Sequence, residues 1–243
     1  PATDNLIVLR KLQKSGMNVA RINMSHATHK SALKVINRIN KINSEISSAS
    51  QKIAILLDTQ GPEIRTGDTS LPIELKVDDE VTLTIRDQID VETSSIKVTY
   101  KDLVNSVEVG SRISVDNGLI NFRVLSKDSD NLLCKVLHGG KLGSKRHVNL
   151  PGVRVNLPSI TTKDIEDINF GIKHKVDFIA ASFVRNKKDL ELLNDLLHKK
   201  NSSAKVIAKI ENQEGLDNID EICKSAWGVM VARGDLGIET SLT

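Results

Sequence analysis

Arg21, Asn23 and Ser25 stand two residues apart in RINMS (21–25). In an extended strand they share one face in steps of about 7 Å, while Ala20, Ile22 and Met24 take the other. A guanidinium, an amide oxygen and a hydroxyl in a row suit charged ligands better than a core. The planar fork of Arg21 can grip a phosphate. Asn23 and Ser25, with the Asp58 carboxylate and the Thr59 carbonyl of LLDT (56–59), make a ring of neutral oxygens with one carboxylate that could hold a monovalent cation. Turn capping is the ordinary alternative for Asn23 and Ser25.

Lys209 and Glu211 share a face in VIAKIEN (206–212). A strand-borne lysine among apolar neighbours is costly unless paired or functional. Paired, it makes a salt bridge with Glu211. Functional, it is a cation facing a developing anion, with Glu211 a metal ligand. Asp235 lies between glycines in ARGDLG (232–237), where the backbone can approach a ligand closely. It is also a good helix N-cap, and the two roles are compatible. Carboxylates from two strands suit Mg²⁺, which keeps positions open for substrate oxygens. HGGKLGSKRH (138–147) is a basic, glycine-rich loop able to touch nucleotide phosphates, without P-loop spacing. His26 and His29 lack any nucleophile–base arrangement and read as solvated or core-satisfied.

Three textures must position these groups. Residues 1–60 read as helix, strand, helix, strand: an apolar face of Leu6, Leu9 and Leu12 ending at Gly16, then MNVARINMS. A second helix carries the stripe Leu33, Ile36, Ile39 and Ile42, before the unalternating run KIAILLD of a strand buried on both faces. Residues 61–157 change to short β-rich runs separated by DNG and HGG turns, a small β-barrel or sandwich inserted after a strand of the first part. Residues 158–243 resume strand–helix alternation, with a helix capped by Thr161 or Thr162, the strand VDFIAASF, an amphipathic helix, AKVIAKIE, a helix near 214–223, and WGVMVARGD. Five strands outside the β-rich part, alternating with helices, predict a parallel α/β sheet. Their count does not choose between an open doubly wound sheet and a (β/α)₈ barrel. Each strand ends in polar residues, and parallel α/β folds bind ligands at strand carboxyl ends.

Composition narrows the class. With 39% hydrophobic and 27% charged residues, the chain has a globular core. Only 2% of residues are aromatic, which leaves few platforms for stacked bases. A net charge of +3 with interspersed signs favours small anions over nucleic acid. Cys134 and Cys223 fit no metal or disulfide spacing and suit a reducing cytoplasm. The longest apolar runs are too short to span a bilayer, and no signal peptide is visible.

Seven stretches together resemble the pyruvate kinase family in order and spacing: GMNVARINMSHATH, LLDTQGPEIRTG, VDNGLI, LGSKRHVNLPGV, DFIAASFVR, IAKIEN and GVMVARGDLGIE. The resemblance runs through essentially the whole chain. It implies an incomplete (β/α)₈ barrel (A domain, 1–60 and 158–243) with an inserted β-barrel lid (B domain, 61–157). It also implies transfer of phosphate from phosphoenolpyruvate to ADP in glycolysis, by a cytoplasmic homotetramer using Mg²⁺ (or Mn²⁺) and K⁺. Arg21 and Lys209 would contact the phosphoryl group, with Lys209 catalytic. Glu211 and Asp235 would hold Mg²⁺, and the Ala232, Arg233, Gly234 and Asp235 backbone the substrate carboxylate. Asn23, Ser25, Asp58 and Thr59 would bind K⁺. Asn23, Met24, Ser25, His26, Arg65, Lys145 and Arg146 would serve the nucleotide. Glu63 matches the glutamate typical of K⁺-dependent members.

The departures are Met24 for Phe, Ala27 for Gly, Gln60 for Lys, Asn117 for a second Asp, and Arg146-His147 for Lys-Gly. The resemblance places the first barrel strand before Pro1, with the last two strands, the enolate-protonating threonine and the regulatory domain after Thr243. The chain is therefore expected to be a fragment, inactive alone. Other readings stay open: a Mg²⁺-dependent aldolase or lyase acting on a pyruvate enolate, a non-enzymatic RNA-binding β-barrel, or a degenerate regulatory paralogue.

Overall fold

The first helix, α1 (Leu6–Lys14), begins where the Asn5 side chain accepts the Ile7 amide at 2.8 Å. It ends at Gly16, whose φ of 99° lets Met17 N reach back to Leu12 O at 2.9 Å. Strand β1 (Val19–Asn23) then alternates as its spacing predicts, with Arg21 exposed and Ile22 buried. Helix α2 (His29–Ser44) opens with a reciprocal cap between Thr28 and Ser31. Its buried stripe is Ala32, Ile36, Ile39 and Ile42, and the expected Leu33 is only half-buried. Ala32 lies seven residues, about two turns, before Ile39, which puts it in line with the stripe and Leu33 on its flank. The Asn43 amide ties the end of α2 to Ile53, donating to its carbonyl at 2.8 Å and accepting its N–H at 2.9 Å. Strand β2 (Ala54–Asp58) follows, buried along nearly its whole length and parallel to β1, with Asn23 opposite Asp58.

The structure, a computed structural model, describes residues 5–87 and 95–240. They form two units: the chain up to Pro62 with Pro158–Ile210 and Gly215–Val231, and Glu63–Leu157 with Glu211–Glu214 and the chain from Ala232.

The β-rich unit contains β3 (Ile73–Leu75), β4 (Glu80–Thr84), β5 (Ser95–Lys97), the single-turn helix α3 (Leu103–Ser106), β6 (Arg112–Val115), β7 (Ile120–Lys127), β8 (Asn131–His138), β9 (Gly140–Leu142) and β10 (Val148–Asn149). Six of the strands form one sheet in the order β10-β6-β7-β8-β4-β5, and β3 pairs with β9. The core is aliphatic, as the scarcity of aromatics requires, with Phe122 and Tyr100 its aromatic members. Gly139 sits where a side chain has no room: a Cβ there would lie 2.2 Å from the backbone oxygen of Leu75. A main-chain atom cannot rotate away, so Gly139→Ala should force β3 and β9 apart and cost about 2–3 kcal/mol. Denaturation followed by a probe within residues 63–157 checks this; a loss below about 0.5 kcal/mol would show that the turn adjusts freely.

The chain then adds α4 (Thr162–Lys173), β11 (Phe178–Ala181), α5 (Lys187–Lys199), β12 (Lys205–Ile210), α6 (Gln213–Asp217), α7 (Ile219–Ser225), β13 (Gly228–Val231) and α8 (Arg233–Glu239). Thr161, not Thr162, caps α4. The helix expected near 214–223 is two helices, broken at Asn218, whose side-chain amide donates instead to the Arg185 carbonyl at 2.9 Å. Five parallel strands make the sheet β1-β2-β11-β12-β13, so spatial order follows chain order. Doubly wound sheets reverse at a switch point, whereas (β/α)₈ winding proceeds monotonically, as these strands do.

Candidate functional site

In the parallel-sheet unit, Asp58 ends β2 with its side chain 1% exposed and two cations upon it. From β1, Arg21 Nε donates to Oδ2 at 2.6 Å and Nη2 lies at 2.5 Å. From β12, Lys209 Nζ lies 3.1 Å from Oδ1 and donates to Ser182 Oγ at 2.7 Å. Ser182 Oγ in turn donates to the Thr59 carbonyl at 2.7 Å. The buried lysine thus has Asp58, a carboxylate from another strand, as a compensating partner. Strand order decides this, since β2 and β12 both flank β11. Two cations share one carboxylate, so this trio has a positive charge to spare, which attracts an anion.

The loop after β1 brings the remaining oxygens to the same end. Asn23 Oδ1 accepts the Ser25 amide at 3.0 Å, so the turn-capping role is realised, and one lone pair of that oxygen is left over. Met24 N donates to the Asp58 carbonyl at 2.9 Å, tying the loop to the end of β2. Met24 itself is 1% exposed and fills core volume, whereas His26 is solvent-exposed in the turn. Asp58 Oδ1 is buried without a well-directed hydrogen bond, although the Lys209 ammonium is near. A buried acceptor in that state, with the Asn23, Ser25 and Thr59 oxygens around the same strand ends, fits a monovalent cation.

The β-rich unit holds the other candidates. Arg65 grips Glu63 through Nε at 2.8 Å and donates through Nη1 to the Lys145 carbonyl at 2.7 Å. Arg146 Nη1 lies 3.4 Å from Asp116 Oδ1. The turn at Asp116, Asn117 and Gly118 has three successive positive φ angles, and Lys145 has a fourth. Arg65, Lys145 and Arg146 are therefore brought together at one loop cluster. Glu211 is 1% exposed in this unit. Asp235 lies in the first turn of α8, whose N-cap is Ala232, so the cap role expected of Asp235 is not the one it has. Asn149 Nδ2 donates to Glu239 Oε1 at 2.6 Å. Burial, and after it the Asp235 and Glu211 carboxylates, push the Glu239 carboxyl up to about 7. Burial also holds His147 below the ordinary imidazole range, against the pull of Glu63 and Asp235. Among the described residues no three His, Cys, Asp or Glu side chains converge as a metal cage. The Glu211 and Asp235 carboxylates are the donor type that suits a hard divalent ion, which takes its other ligands from substrate and water.

Glu239 makes a pH prediction. Its folded pKa of about 7 exceeds the ordinary 4.5, so the folded state holds more protons in between. Its contribution is complete below about 4.5 and is lost as pH rises through about 7, by up to about 3 kcal/mol. A series of melts across that window should show the decline, and Glu239→Gln should flatten it. An unchanged slope in the variant would assign the decline to other groups.

The family model for the pyruvate kinase barrel domain matches residues 1–243, the entire chain. The chain belongs to the pyruvate kinase family. Curated relatives named pyruvate kinase are 48% identical in Staphylococcus saprophyticus, 44% in Staphylococcus haemolyticus and 46% in Staphylococcus aureus strain MRSA252, each match covering 98% of this chain. The chain spans 41% of the length of those relatives. Family membership accords with the monotonic parallel sheet, and no helix among the described residues is long and apolar enough to cross a membrane.

Residues that sequence reasoning passed over are Ser182 as the partner of Lys209, and Lys163, Asp164 and Asp167 on α4. Ser182 was visible as a polar strand end. The α4 residues offered no signal, because their helical spacing reads as a solvated face. His29, read as solvated or core-satisfied, places Nε2 2.7 Å from Asp167 Oδ1 and stacks on Phe170 at 4.5 Å.

Proposed function

We propose that the chain carries phosphoryl-transfer machinery that moves the phosphoryl group of phosphoenolpyruvate to ADP, giving pyruvate and ATP. The observation that carries this reading is the pair of cations, Arg21 and Lys209, held from two strands on the buried Asp58. In phosphoryl transfer the protein chiefly positions reactants and offsets charge on the transferring group. Arg21, half exposed, has the planar donors to bind phosphoryl oxygens. Lys209, fixed by Asp58 and Ser182, needs no reorganisation to stabilise charge as the P–O bond to the enol breaks. Ala232, Arg233, Gly234 and Asp235 would receive the substrate carboxylate at the start of α8.

Glu211 and Asp235 would hold Mg²⁺ (or Mn²⁺), and Asn23, Ser25, Asp58 and Thr59 would hold K⁺; the ions would supply charge neutralisation on phosphoryl and carboxylate oxygens. Arg65, Lys145 and Arg146, with Asn23, Met24, Ser25 and His26, would serve ADP. Glu63, held by Arg65, is the residue type that the resemblance associates with K⁺-dependent members. Residues 61–157 would act as the lid that excludes water, and 1–60 with 158–243 as barrel. The partners are small molecules rather than nucleic acid or membrane, and the assembled enzyme would be a cytoplasmic homotetramer.

The test is coupled pyruvate formation from phosphoenolpyruvate and ADP, with these residues in a polypeptide of the relatives' full length. Turnover requiring Mg²⁺ and rising with K⁺ but not Na⁺ is the expected result. No turnover under any of these ions would sink the reading. In this chain Mg²⁺ should raise Tm more at pH 8 than at pH 5, because Glu239, pushed up to about 7, adds its negative charge beside Glu211 and Asp235 only at the higher pH. Equal shifts at both pH values would count against that ligand set.

A further inference from the structure

The first turn of α4 makes two contacts that helix capping does not require. Asp164 is the reciprocal partner of Thr161: its Oδ2 accepts the Thr161 amide at 2.9 Å and the hydroxyl at 2.6 Å. Its other oxygen, Oδ1, accepts the amide of Gly61 at 3.0 Å, from the loop after β2. That loop has little latitude. Gly61 has a φ of 75°, and a Cβ on it would meet Ser182 Cβ at 2.7 Å. One residue earlier on α4, Lys163 Nζ donates to the Met24 carbonyl at 2.9 Å, in the loop after β1. Asp167 holds that ammonium at 2.6 Å, and His29 approaches the other oxygen of the same carboxylate.

As an ion pair alone, Lys163–Asp167 is an i,i+4 contact with a half-exposed lysine, of a kind that contributes little. Its placement gives it another use. Met24 lies between Asn23 and Ser25, and Gly61 lies two residues beyond Thr59. Both loops that carry the candidate cation oxygens are therefore tied to one helical turn, which packs its own anchors deep: Asp164 is 2% exposed and Asp167 3%. With the Lys163 contact gone, the Met24–Ser25 peptide would be held only by its Ser25 amide bond to Asn23 Oδ1 and its neighbours' bonds.

We propose that Lys163 and Asp164 are positioning residues, a clip that holds the loops after β1 and β2 in the conformation presenting Asn23, Ser25, Asp58 and Thr59 to a monovalent cation. The cation part rests on the K⁺ reading above; the loop-ordering part does not.

The test compares Lys163→Met with Lys163→Arg, and with Lys187→Met, which removes the i,i+4 partner of Glu191 on α5 away from these loops. Amide hydrogen exchange in the unliganded protein should accelerate by about tenfold or more at Ser25, His26 and Ala27 in Lys163→Met. Exchange at Ile36 and Ile39 of α2 should not change. Lys163→Arg should restore most of the protection, and Lys187→Met should leave it intact. In a parallel thermal titration, Lys163→Met should raise the K⁺ concentration that half-saturates the Tm shift by about tenfold relative to wild type, with NaCl as reference. A lower Tm with unchanged exchange at 25–27 and unchanged K⁺ half-saturation would overturn the clip and leave an ordinary stabilising contact. A wild-type Tm that responds equally to K⁺ and Na⁺ would remove the cation reading, and the exchange rates would then decide the loop-ordering role by themselves.

Discussion

Asp58→Asn should lower the stability of the parallel-sheet unit by about 3–5 kcal/mol, the usual cost of breaking a buried ion pair from one side. The substitution keeps the shape and a carbonyl oxygen but removes the charge that compensates Lys209, 8% exposed, and that Arg21 grips with two nitrogens. The Ser182 hydroxyl, which also accepts from Lys209, is neutral and does not replace a carboxylate charge. Urea denaturation checks the magnitude. Because the cost arises from a buried ammonium losing a carboxylate partner, adding Lys209→Met to Asp58→Asn should recover part of the loss, and the cycle should not be additive. A loss under about 1 kcal/mol, or strict additivity, would mean that the lysine escapes to solvent or loses its proton.

Lys209→Met should have the opposite profile, a modest change in stability with a large one in rate. The methionine matches the length of the lysine stem, and Asp58 retains Arg21, whose solvent access eases its solvation. Under the proposed reaction, however, the variant lacks the fixed cation nearest the breaking P–O bond. Removing one preorganised charge of that kind costs about 10²–10³ in kcat, and KM should move far less because Arg21 still binds the ground-state phosphate. Steady-state kinetics in the assay above distinguishes the cases. Equal falls in binding and turnover would make Lys209 a binding residue only, and an unchanged rate would remove it from the chemistry.

These effects differ because one carboxylate serves two cations whose burial differs. Arg21 is half exposed and Lys209 nearly enclosed, so loss of the carboxylate is felt mainly at the lysine, while the arginine stays available for a ligand.

Much of the local structure was legible along the chain. The Ile36–Ile39–Ile42 stripe, a threonine cap at the start of α4, the unbroken apolar run of β2 and the alternation of Arg21 and Asn23 all depend on residues within a few positions of one another. Such patterns follow from helix and strand periodicity and from the unpaired N–H groups of helix starts, which act at short range. The misreadings lay where short-range signals compete. Leu33 lies three residues and Ala32 four before Ile36, both allowed helical steps, and only the two full turns to Ile39 select Ala32. A helical period continues across Asn218 in the sequence, but that side chain bonds to Arg185 and the helix breaks there.

The residue types of the candidate site were also readable: cations, carboxylates and hydroxyls cluster at strand ends because parallel α/β sheets bind ligands there. Their partners were not. Lys209 finds Asp58 through strand order, and Lys163 reaches Met24 across 139 residues of sequence. Pairing across such separations is set by the register and packing of whole elements, which no spacing along the chain encodes. Sequence alone therefore settled which chemistries the chain can offer and which family it resembles, through local periodicity and motif spacing. Tertiary structure alone decided which charge compensates which, because a buried ammonium or carboxylate is stabilised by whatever the folded sheet places within about 3 Å of it.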